Sequence, residues 1–153
     1  MGRWDHLYEL KPVPLAEHFV AEAAKLLARD LAGWPPQVEA WASPADEARF
    51  GPLLSPGAPR PDDRIFAEAF RLARLELMRE VEQIDEYMRN ERWRQVAAPG
   101  RGFDALLFLS RYLTEQMLAI AEATEGRIKR AMLVDLLLRA ERALLGGGGL
   151  APG

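Results

Sequence analysis

Carboxylates at helical spacing are the first residues in this chain that could do chemistry. Glu76 and Glu80 lie four apart, Glu82 and Asp85 form an ExxD pair, and Glu122 and Glu125 form an ExxE pair farther on. Acidic residues three or four positions apart share one face of a helix. Where two helices turn such faces toward each other, the oxygens can hold Mg²⁺ or Mn²⁺, as an all-α nucleotide hydrolase requires. The same six residues also fit a solvated face. Arg74, Arg79 and Arg89 are interleaved with them, and ion pairs along an exposed helix account for that pattern. Neither His6 nor His18 stands three residues after a glutamate, so the Glu-x-x-His element of a di-iron bundle is missing. The expected reading is no cofactor and no metal, with the acidic set kept as the alternative.

Other catalytic groups are scarce. With no cysteine, disulfides, thiolate metal sites and cysteine nucleophiles are excluded together. No serine sits in a nucleophile elbow, and the glycine run at 146–149 lacks the lysine and following helix of a phosphate loop. The expectation is a non-enzymatic protein.

The second candidate is the stretch YMRNERWRQVAAPGRGF, in which Arg89, Arg92, Arg94 and Arg101 surround Trp93. Guanidinium groups beside an indole can grip phosphates while the ring stacks on a base. A nucleic-acid-associated accessory subunit would use Arg89, Arg92, Arg94 and Arg101, joined by Arg127, Lys129 and Arg130. The plainer reading is a helix end, because cations near a helix C-terminus meet the negative end of its dipole. Between these lies a protein-binding surface made of Met88, Arg89, Arg92, Trp93 and Arg94, with a second copy of the chain as the simplest partner. The net charge of −3 argues against nucleic acid as the main partner.

These groups must be carried by helices. Strand signals are absent, and apolar residues recur every three or four positions. The first helix spans 14–32, with Leu15, Phe19, Ala23, Leu26 and Leu27 on one face and Gly33 closing it in the left-handed conformation. The proline-rich connection at 34–61 should contain two short helical pieces, PPQVEAW and SPADEARF, and then ordered coil. Ser43 caps the second piece, with Asp46 completing a capping box. Asp62 or Asp63 caps a long helix over 62–94, whose seam is Phe66, Phe70, Ala73, Leu77, Val81, Ile84 and Met88. Unbent, it would be roughly 50 Å long, overhanging its neighbours and exposing Met88 and Trp93.

Asp104 should cap a helix over 104–124 with the stripe Leu106, Ser110, Leu113, Met117, Ile120 and Thr124. Continuing that stripe would bury Asp135, Arg139 and Arg142, so the phase breaks near Gly126, with a single bent helix over 104–145 as the alternative. A separate helix at 127–145 then presents Leu133, Leu136, Leu137, Ala140 and Leu144. The expected architecture is an all-α bundle of four main helices in one domain, residues 1–145, with a flexible glycine-rich tail at 146–153. The first ten residues hold no apolar signal core and no run is long enough to span a bilayer, so the expected compartment is the cytoplasm.

Overall fold

Apolar residues at intervals of three and four wind this chain into seven α-helices, seen in a computed structural model that describes Trp4 and residues 16–78, 83–96 and 100–146. The helices are α1 (Ala16–Ala32), α2 (Pro44–Phe50), α3 (Asp63–Met78), α4 (Gln83–Asn90), α5 (Trp93–Val96), α6 (Arg101–Ala123) and α7 (Arg130–Leu144), with a 3-10 turn at Gly51–Leu54. No strand occurs among the described residues. The fold is all-α, as the periodicity predicts. Leu15, Val81, the side chain of Ile84 and the tail beyond Gly146 lie outside the described residues.

The core is a four-helix arrangement in which α3 packs on α6 and α7, and α7 packs on α1. Each helix turns its predicted stripe inward. Phe19, Ala23 and Leu27 of α1 are buried, as are Leu133, Leu136, Leu137 and Ala140 of α7. On α6 all six predicted positions are buried, including two polar ones. Ser110 and Thr124 satisfy their hydroxyls internally, donating to the carbonyls of Leu107 and Ile120 at 3.1 and 2.9 Å. A hydroxyl turned back onto its own helix can therefore sit in an apolar seam without an unmet donor.

The predicted break near Gly126 is present. Glu125 and Gly126 both adopt left-handed backbone, with φ of 53° and 79°. The Gly126 N–H reaches the Ala121 carbonyl at 3.0 Å, which closes α6. Gly33 behaves differently from expectation. It closes α1 through its N–H to the Arg29 carbonyl at 3.1 Å, yet it is not among the positive-φ residues.

The connection from Trp34 to Pro61 folds over the core as expected, but with different pieces. The stretch PPQVEAW is not helical. Trp34 and Trp41 instead dock against Phe108 with ring centroids 6.4 and 6.2 Å away, and Phe50 closes the cluster at 5.9 Å. Burying the two indoles outweighs a single helical turn, which is marginal by itself. The predicted coil after Phe50 contains the 3-10 turn, with Leu53 buried.

Ser43 caps α2, accepting the Asp46 N–H at 3.1 Å. The reciprocal half of the capping box is not made. Asp46 instead accepts from Arg111 on α6 at 3.1 Å, and Arg49 donates to Asp104 at 2.7 Å. Asp104 therefore ties α2 to the first turn of α6 and does not cap it. That helix begins earlier, after Gly100 with φ 95°. Replacing Ser43 by Ala is expected to lower unfolding free energy by about 1 kcal/mol through loss of the cap. Urea denaturation checks this, and an unchanged midpoint would show that the interhelical ion pairs and the packing of Phe50 hold α2 without the cap.

The largest departure concerns the long helix. Asp62 caps it, accepting the Ile65 N–H at 3.1 Å, and Phe66, Phe70, Ala73 and Leu77 form the buried seam. The chain does not continue as a single rod over 62–94. Arg92 donates to Glu68 at 3.2 Å, although 24 residues separate them. On a straight helix they would stand roughly 36 Å apart. The chain therefore reverses after Met78, and α4 and α5 return along α3. Tyr87 takes the buried position on α4, one residue from Met88. No helix is long and apolar enough to cross a membrane among the described residues.

Candidate functional site

The basic segment after Met78 is where the fold does something the helical pattern does not require. Glu68 on α3, only 6% exposed, is the anchor. It accepts from Arg71 through Nε at 3.1 Å and Nη2 at 2.5 Å, and from Arg92 through Nε at 3.2 Å. A buried carboxylate needs this many charge-assisted donors. The clasp joins the turn between α4 and α5 to the middle of α3. Glu91 beside it adopts left-handed backbone, φ 53°, which ends α4 without a glycine. Tyr87 is buried against the same cluster. Burial, reinforced by Glu68, pushes its hydroxyl above the ordinary phenol range. That hydroxyl has no hydrogen-bond partner among the described residues.

The five residues predicted to bind a protein partner are thereby divided. Arg92 is engaged in the clasp. Trp93 is half-buried, its ring 4.8 Å from that of Phe103 and covered by Arg94 at 5.2 Å. Met88, Arg89 and Arg94 are exposed. Arg89 pairs with Glu86 at 3.3 Å and Arg94 with Glu91 at 2.8 Å. Both pairs are short-range and solvated, so each contributes a few tenths of a kcal/mol at most. The expected overhang does not exist, because the helix that would have made it folds back. Met88 is exposed for a different reason: Tyr87 occupies the inward position.

The seven residues of the nucleic-acid alternative do not form one patch. Arg101 opens α6, whereas Arg127, Lys129 and Arg130 come after its other end, roughly 33 Å away along a helix of 23 residues. Arg130 donates to the Leu77 carbonyl at 2.6 Å and Arg127 to the Thr124 carbonyl at 3.0 Å, so both cap neighbouring backbone. Of the acidic alternative, Glu80 and Glu82 lie outside the described residues. Asp85, Glu122 and Glu125 are exposed and Glu76 is half-buried. No group of three or more potential ligands converges among the described residues.

Glu68 and Tyr87 were not among the predicted site residues, and a second feature was missed as well. A cleft of about 640 Å³ opens between the end of α1, the Pro35–Pro36 strap and α6. Glu39, Glu115, Gln116 and Tyr112 line it. Trp4 is buried beside it and donates its ring N–H to Gln116 at 2.8 Å. Partial burial lifts the Glu115 carboxyl above its ordinary range, with Arg111 opposing and Asp46 adding to the rise. Nothing periodic marks such a cleft, because its walls come from segments far apart in the chain.

No family model, curated protein or solved structure matches this chain.

Proposed function

We propose that this chain is a non-enzymatic protein-binding module that assembles with a second copy of itself through the surface of α4 and α5. The observation that carries the reading is Met88, a large apolar side chain left 41% exposed and bordered by exposed charges of both signs. Only Met78 and Leu118 are comparably exposed large apolar residues among the described ones. An exposed methionine is adaptable and suits a contact surface. The alternation Glu86, Arg89, Glu91, Arg94 is self-complementary. Under two-fold symmetry the glutamates of one copy meet the arginines of the other. The absence of cysteine fits a reducing compartment such as the cytoplasm.

Substituting Met88 by Asp is expected to weaken self-association about tenfold or more, equivalent to about 1.4 kcal/mol, while leaving the fold intact. Size-exclusion chromatography with light scattering over a concentration series reads this directly. A wild-type chain that stays monomeric at the highest attainable concentration overturns the proposal, and so does an association constant that Met88→Asp leaves unaltered.

A further inference from the structure

We propose that the open pocket between α3 and the returning α4–α5 segment is a binding site for a small oxyanion, either a phosphate or a carboxylate, held by Arg71, Arg92 and Asn90. The cavity measures about 130 Å³, and Leu72, Leu75 and Tyr87 complete its walls. That volume is about four times the ~30 Å³ a water molecule occupies in the liquid. It has room for an inorganic ion or a short acid.

Charge and donor chemistry select the ligand. Two guanidinium groups face one buried carboxylate, Glu68, which leaves one positive charge in excess. Glu86 also lines the cavity, and its carboxylate is paired with Arg89 at 3.3 Å. Glu68 uses Nε and Nη2 of Arg71 and only Nε of Arg92. The Nη1 edge of Arg71 and both terminal nitrogens of Arg92 therefore keep N–H groups that Glu68 does not occupy, and Asn90 adds an amide. A ligand offering only acceptors complements this set, and a cation does not. Tyr87 supplies a second, separate observation. It is buried in the cavity wall with a hydroxyl that lacks a partner, in a class of group that is nearly always satisfied. The apolar wall of Leu72 and Leu75 has room for the short tail of a carboxylate.

Thermal melting and calorimetric titration with sodium phosphate and with sodium butyrate, each against sodium chloride at equal ionic strength, test the site. At least one of the two anions is expected to raise the melting temperature saturably beyond chloride. A response to phosphate alone identifies the phosphate form, and one that favours butyrate identifies the carboxylate form. Arg92→Gln is expected to weaken binding about tenfold and Asn90→Ala about threefold. Asn90 is exposed, so its variant decides the matter should Arg92→Gln fail to fold. Met88→Asp should retain the anion response, which separates this site from the assembly surface. The proposal is overturned when neither anion exceeds chloride, or when the folded variants bind as tightly as the wild type.

Discussion

Phe108→Ala is expected to cost about 3–5 kcal/mol of unfolding free energy. Phe108 is buried on α6 and packs against four other rings. Trp34, Trp41 and Phe50 lie 5.9–6.4 Å from it, and Tyr112 stacks on it at 5.7 Å. Removing the ring leaves a cavity that these partners cannot close without moving the backbone of the 34–54 connection. Lost transfer energy and cavity therefore add. In a chain of this length the melting temperature should fall by roughly 10 °C or more. The effect should also be local. Amides between Trp34 and Leu54 should exchange with solvent before α3, α6 and α7 open. Hydrogen exchange resolves the two levels. Uniform loss of protection across all helices would show instead that the connection and the core unfold as one unit.

Glu68→Gln is expected to cost about 2 kcal/mol and to release α4 and α5 from α3. The amide keeps the shape of the carboxylate but removes the charge that two guanidinium groups share, and it points an N–H₂ toward donors. Hydrogen bonds to charged groups contribute about 1.5–3 kcal/mol when shielded. Arg92 is half exposed, so solvent screening holds the figure near the lower end. Among the described residues α4 and α5 are otherwise held by Tyr87 and by Trp93 on Phe103, so exchange protection over 83–96 should fall more than global stability does. Retained protection there in Glu68→Gln would mean that the packing of Tyr87 and of Trp93 on Phe103 keeps the segment folded back.

Much of the architecture arises from local patterns that survive into the packed molecule. Leu106 through Thr124 stay in phase over five turns because every member packs on α3 or its neighbours. The loss of phase at Gly126 is visible in the chain because a charged stripe cannot be buried. The Ser43 and Asp62 caps were legible because a side-chain oxygen three residues before an N–H is a purely local arrangement. The role of Asp46 was not, because its partner Arg111 is 65 residues away.

The candidate site divides in the same way. The types of residue at the α4–α5 end, cations around an indole beside a methionine, were readable in order. Their disposition was not. A stretch without proline or glycine from Asp62 to Ala98 permits a continuous helix, and no local signal marks a reversal after Met78. Tertiary interactions decided it: a buried carboxylate on α3 needed cations, and Arg92 could reach it only if the chain turned back. That turn placed Tyr87 inward and Met88 outward. Helix type and caps are thus written in neighbours a few residues apart. Which face ends in water, and where a cavity forms, depends on charges and rings brought together from distant positions, whose energy appears only once the chain has closed on itself.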